Sequence, residues 1–301
     1  MRVRKPLLAL VVLAALAGCG GDDGADAAPE PALRTPWVDP DGDPPYIGAL
    51  SVNPRDGALF LASNTGLFRI AGDGSEPLKV TGTLRTPDAE GAVSEALVVQ
   101  FTGPDELLGS GHPSSGSQLP PALGLIRSSD AGETWEAISQ LGKADFHVLA
   151  LSQGTLVAPM YGQAQILLSR DEGRSFETRI APMPLIDLAV DPRDPRRWVA
   201  TSEQGVFTSG DEGGTWRQRD PTPNVRLAWA APARLYRIDP GGPVKVSADG
   251  GETWRDRGDA GGEPQVLSLD GEDGLVMASL DGTVKRSADG GATWRVVVEA
   301  R

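Results

Sequence analysis

Few residues of this 301-residue chain could do chemistry as a group. There are two histidines, His112 and His147, and one cysteine, Cys19. Asp145 stands two positions before His147, and Tyr161 and Glu95 fall in the same stretch of sequence. Imidazole, carboxylate and phenol together can move protons near neutral pH. Taken singly, each histidine is more often a packing or hydrogen-bonding residue, so His112, His147, Asp145, Tyr161 and Glu95 are candidates for binding or catalysis. Their spacing leaves a metal undetermined, and no organic cofactor is expected. There is no Gly-x-Ser-x-Gly elbow, no His-Glu-x-x-His and no phosphate loop.

These residues can meet only if a framework brings them together, and the framework is written as a repeat. Ser247-Ala248-Asp249-Gly250-Gly251-Glu252-Thr253-Trp254 has four relatives: Ser128 to Trp135, Ser169 to Phe176, Ser209 to Trp216 and Ser287 to Trp294. Asp130, Asp171, Asp211, Asp249 and Asp289 recur every 38 to 41 residues, the period of one copied supersecondary unit. In each copy the carboxylate can accept the backbone N–H groups of a tight turn, glycine supplies a positive φ, and the aromatic residue opens the returning strand. The five aspartates are therefore expected to be structural. The shared skeleton resembles the Asp box, or BNR repeat, of sialidases and many other β-propellers.

The fourth unit is the clearest. Apolar runs Leu185 to Val190, Trp198 to Thr201, Val206 to Ser209 and Thr215 to Arg219 are separated by turn signals, which predicts a four-stranded antiparallel meander. Similar units fit Phe146 to Ile180, Asn224 to Arg257, Gln265 to Val298 and Glu95 to Ile138, and a first unit, Ile47 to Val80, has a degenerate turn at Gly72 to Ser75. Six units predict an all-β propeller of six blades, with seven blades or a linear stack as alternatives. Writing each unit's strands A to D, the repeat turns are C–D turns on one face. His112, in a B–C loop, and His147, before a strand A, then share the opposite face. The proline-rich insertion Pro113 to Ala122 is expected to be an ordered flap there.

The chain opens with Arg2, Arg4 and Lys5, an apolar run from Leu7 to Leu16, then Ala17-Gly18-Cys19, the layout of a signal peptide over residues 1–18. Leu16-Ala17-Gly18-Cys19 resembles the lipobox of bacterial lipoproteins, which implies lipid on Cys19. Residues 19–45 are poor in large apolar side chains and read as a disordered tether, leaving 46–301 for the propeller. One cysteine excludes an intramolecular disulfide. A net charge of -13 disfavours nucleic acid and anionic membrane surfaces as partners, so the only membrane contact expected is the anchor.

Gly109-Ser110-Gly111-His112-Pro113, Leu123 to Ser128 and Asp145-Phe146-His147 resemble a group of bacterial Asp-box lipoproteins usually labelled glycosylhydrolase or sialidase-like. That group carries further histidines in its first blade, where this chain has Tyr46-Ile47-Gly48-Ala49 and Asn64-Thr65. Sialidase chemistry needs three arginines, a tyrosine nucleophile with a glutamate, and an acid/base aspartate. The non-turn face offers Arg85, Arg226, Tyr46 and Tyr161, which is not that set. The favoured reading is a lipid-anchored envelope propeller binding a protein or glycan ligand on this face. An exo-acting glycoside hydrolase is the alternative, and a scaffold like the Asp-box propellers that help build photosystem II is the third.

Overall fold

A computed structural model of the chain describes residues 36–37, 45–72, 75–93, 95 and 97–299. The expected signal peptide, Cys19, most of the tether and Asp73-Gly74 of the degenerate turn lie outside these residues.

Six sheets follow one another along the chain. Blade 1 holds β1 (Ile47–Val52), β2 (Leu59–Ser63), β3 (Gly66–Ile70) and β4 (Leu78–Val80). Blade 2 holds β5 (Thr83–Arg85), β6 (Glu90–Ala92), β7 (Leu97–Gly103), β8 (Glu106–Gly111), β9 (Leu125–Ser128) and β10 (Thr134–Ser139). Blade 3 is β11 (Ala150–Ser152), β12 (Thr155–Pro159), β13 (Gln165–Ser169) and β14 (Glu177–Ile180); blade 4 is β15 (Asp187–Val190), β16 (Trp198–Ser202), β17 (Gly205–Ser209) and β18 (Arg217–Asp220). Blade 5 is β19 (Arg226–Ala231), β20 (Arg234–Ile238), β21 (Pro243–Ser247) and β22 (Arg255–Asp259); blade 6 is β23 (Pro264–Asp270), β24 (Gly274–Ser279), β25 (Val284–Ser287) and β26 (Arg295–Val298). The protein is a six-bladed, all-β propeller.

Burial sorts the strands by composition. Second strands such as Leu59–Ser63 and Trp198–Ser202 are buried along their whole length, whereas outer strands such as Arg217–Asp220, carrying charges in succession, face water. Apolar clusters lie between neighbouring blades rather than within one. Val157 and Ile166 of blade 3 pack with Leu188 and Trp198 of blade 4, and Val199 and Val206 with Leu235 of blade 5. Tyr236 and Val244 of blade 5 pack with Leu275 and Met277 of blade 6. The ring closes because Leu59, Leu61 and Phe68 of blade 1 pack with Val276, Val284 and Val298 of blade 6, together with Trp37. Among the described strands none passes from blade 6 to blade 1.

Blade 2 departs from the four-stranded expectation. The hairpin of β5 and β6 adds to its outer edge, with β5 running parallel to β10 and Leu84 opposite Trp135. Arg85 is therefore not on the candidate face but on this edge, paired with Glu90 at 3.2 Å. Two three-residue strands with one buried side chain, Leu84, give too weak an alternation to be read in sequence.

The five repeat turns share one hydrogen-bond pattern. In the second blade Ser128 Oγ donates to Asp130 Oδ1 at 2.8 Å, while Asp130 accepts the Thr134 N–H at 2.8 Å and the Thr134 hydroxyl at 2.5 Å. The residues at the tip, Ala131 and Gly132, both have positive φ (58° and 93°), as do Gly250 and Gly251. At Asp171 and Asp289 these donors hold the carboxyl at about 2; at Asp249 burial opposes them, yet Thr253 and Ser247 still bring it to about 2. A carboxyl depressed in the folded state contributes stability that is complete above its unfolded value and lost as pH falls through the folded one. The melting temperature should thus decline between about pH 4 and pH 2, and the decline should be shallower in Asp249→Ala. A variant with an unchanged acid limb would show that the clasp adds nothing to stability.

Candidate functional site

Innermost strands β1, β7, β11, β15, β19 and β23 surround a central channel of about 440 Å3. Each begins on the face away from the repeat turns, since four antiparallel strands return the chain there. The throat is apolar, with Leu50, Val99, Leu149, Leu188 and Leu267, whereas Tyr46, His147, Asp187, Arg226 and Gln265 stand where first strands begin. A polar mouth over an apolar throat results from a polar residue placed at the start of an otherwise apolar run.

Some of these mouth side chains join the blades. Asp187 accepts the Leu188 N–H at 2.8 Å and the Leu227 N–H of the next blade at 2.9 Å. Gln265 accepts the Ile47 N–H across the closure at 2.9 Å. Loss of solvent pushes the Asp187 carboxyl up, against Arg226 and the two N–H groups that lower it. Neither Asp187 nor Gln265 stood out in the sequence. The signal that could have found them is a polar residue at the start of a strand A.

His112 and Asp145 meet His147 beside this mouth, behind the channel lining to which only His147 belongs. Asp145 Oδ2 lies 3.2 Å from His112 Nε2 and 3.2 Å from His147 Nε2. The three ligand atoms all fall within 4.8 Å of one another, so the two imidazoles share one site. Burial alone would raise the Asp145 carboxyl, but hydrogen bonding and charge from His147 and His112 hold it below its usual range. His112 Nδ1 is 2.6 Å from the Pro121 carbonyl, and His147 Nδ1 is 3.3 Å from the Tyr46 hydroxyl. Tyr161 stacks on the His147 ring, centroids 3.8 Å apart and planes 14° apart, with 61% of its surface exposed. Desolvation of the Tyr46 phenol, opposed by Arg226, pushes it above its ordinary value, so Tyr46 is neutral and no ready nucleophile.

The segment from Pro113 to Ala122 packs down as a flap. Leu119 is buried, the Ser114 N–H donates to Ala92 of β6, and the Gly142 N–H donates to Ala122. The outer hairpin of blade 2 is thus part of what holds the flap, and through Pro121 the flap holds His112. Glu95 does not join the cluster; its Oε2 instead accepts the Ser115 N–H at 3.2 Å.

No protein-family model and no curated protein sequence matches the chain. Many solved structures resemble it, and two of them serve as examples. One, described as YCF48 bound to D1 peptide, has 15% identity and a TM-score of 0.55 over 87% of this chain and 95% of that one. The other, AFV00434, described as an ancestral GH74 enzyme, has 12% identity and a TM-score of 0.52; the match covers 83% of this chain but 37% of that one. At such identities the likeness extends to the fold, and it does not reach the sialidase-like lipoprotein group that the motifs around His112 resemble. What the geometry and the comparisons establish together is a β-propeller with a polar channel mouth on the face opposite its repeat turns.

Proposed function

We propose that this chain is a binding propeller of the cell envelope whose channel mouth receives a segment of a partner protein or a small ligand. The observation that carries this reading is the carboxylate inventory of the channel. Among the described lining residues Asp187 is the only carboxylate, and both its oxygens already accept backbone N–H groups. Glycoside hydrolysis in its usual form needs two carboxyl groups across the scissile bond, about 5–9.5 Å apart. Asp145 lies outside that lining and is committed to two histidines. The mouth does offer what recognition uses: Tyr161 as an exposed aromatic platform on His147, Arg226 as a cation, and an apolar throat of ligand size. A propeller of this fold holding a peptide, as in the YCF48 structure, is consistent with it. The anchor through lipid on Cys19 and the envelope location belong to the same proposal and rest on Leu16 to Cys19; the tether proposed with them stops short of residue 45, because Trp37 is buried in the closure of the ring.

One experiment tests these claims together. A photo-crosslinking residue at 161 in intact cells should yield a discrete adduct found with the membranes, and the same residue at 217, an exposed position just after a repeat turn, should not. Arg226→Ala should reduce the adduct severalfold, and Cys19→Ser should move it to the soluble fraction. Equal crosslinking from both faces would overturn the mouth as the binding surface. Release of sugars from envelope glycans by the purified chain would favour the hydrolase instead.

A further inference from the structure

The hydrogen bonds on the far side of each imidazole carry an argument beyond ligand capture. A carbonyl oxygen can only accept, so the 2.6 Å contact with Pro121 fixes the His112 proton on Nδ1. In a neutral ring Nε2 is then a bare lone pair, and it lies 3.2 Å from Asp145 Oδ2. Lone pair against carboxylate is repulsive, and a positive charge between them removes the conflict. His147 also has a polar partner on Nδ1, the Tyr46 hydroxyl, which can donate or accept, and its Nε2 hydrogen-bonds the same oxygen at 3.2 Å. A ring nitrogen bonded outward while the other faces a shared carboxylate is how proteins orient histidine ligands. In addition, Asp145 Oδ1 is buried with no hydrogen-bond partner, an orphaned acceptor beside the cluster.

We infer that His112 Nε2, His147 Nε2 and the Asp145 carboxylate bind a divalent transition-metal ion, of which zinc is the type, at the junction of the flap and blade 3. Two imidazoles and a carboxylate suit zinc, whose bonds of about 2.0–2.2 Å set ligand atoms about 3.3 Å apart in a tetrahedron. Both nitrogen-to-oxygen separations are 3.2 Å, and the third edge, between the two imidazole nitrogens and within 4.8 Å, closes by rotation of the exposed His112 ring toward His147. When the metal binds, the single proton of the neutral His147 ring moves from Nε2 to Nδ1, so that Nε2 is free as a ligand and Nδ1–H donates to the Tyr46 oxygen. Three protein ligands leave a fourth position for water or an atom of a bound molecule. The metal would also clamp the flap, through His112, to the strand entry that carries His147.

The site is testable without knowing what the channel binds. The full chain, stripped with a chelator and titrated calorimetrically with zinc sulfate, should take up one ion per molecule. His112→Ala and His147→Ala should each weaken uptake at least tenfold, and Tyr46→Phe, which removes only the outer partner, by about tenfold. Cobalt(II) in the unmutated chain should give the intense visible bands of a four-coordinate site with nitrogen ligands, a readout that does not depend on any variant folding. Absence of saturable zinc uptake, histidine variants that bind like the parent, or a weak six-coordinate cobalt spectrum would each overturn the inference. None of these outcomes bears on whether the mouth crosslinks to a partner.

Discussion

Replacing Arg237 by alanine should lower stability by about 3–5 kcal/mol, and in a domain of this size the melting temperature should fall by roughly 6–15 °C. Arg237 is 1% exposed inside blade 5. Its Nη1 donates to Asp220 Oδ2 at 3.0 Å, its Nε lies 2.9 Å from Asp239 Oδ1, and its guanidinium carbon lies 4.8 Å from the Trp254 ring centroid. Alanine would strand two carboxylates that the fold has arranged around a cation and would open space against the indole. Lys245, 2.9 Å from Asp239, compensates one of them, so the loss should not exceed the upper figure. Arg237→Met keeps most of the packing and should recover part of the loss. A difference in unfolding free energy below about 1 kcal/mol would mean that the pair only offsets its own desolvation.

The second large effect should come from Trp37→Ala, at about 3–5 kcal/mol, the range for truncating a buried aromatic residue. Trp37 is fully buried, its ring 5.6 Å from that of Phe68 and tilted by 57°. It packs with Ile47 and Phe68 of blade 1 and Val276 and Val298 of blade 6. This residue thus fills the closure of the ring from outside the blades, as Leu119 of the flap does in the cluster that joins blades 1 to 3. Urea denaturation should show the lower midpoint. Hydrogen exchange should show added opening in β1 and β24 before β12 or β16. Uniform loss of protection around the ring would show that the closure is no weaker than the other joints.

What the sequence disclosed followed from how local each signal is. The repeat turns were legible because Ser-x-Asp-x-Gly-x-Thr encodes a complete hydrogen-bond pattern within eight residues, and their period then implied the blades. His112 and His147 could be assigned to one face because strand alternation is a counting rule. Their meeting at a single Asp145 oxygen was not written in any spacing. It depends on Pro121, nine positions beyond His112 in the flap, and on Tyr46 from another blade, 101 positions before His147. The placement of Glu95 went astray because nearness in sequence is not nearness in a propeller, where the flap diverts it to Ser115. Asp187 and Gln265 escaped notice since a single polar residue at a strand end has no signature of its own.

The side-chain closure of the ring also has a consequence in time. Each blade is made from one continuous stretch, and outside blade 2, where β5 pairs with β10, its strands can pair by closing short loops. The joint between blades 6 and 1 instead unites Ile47 with Gln265, 218 positions apart, and Arg286 with Gly57, 229 apart. Loop-closure entropy rises by about 0.6 kcal/mol for each doubling of length, and among the described strands none is exchanged there to anchor an early encounter. Blades should therefore form and dock with their sequence neighbours first, with the seam at Trp37 forming last and reopening first. Refolding followed by Trp37 burial should lag behind refolding followed by backbone signals, and its rate should govern when the polar mouth becomes a single surface.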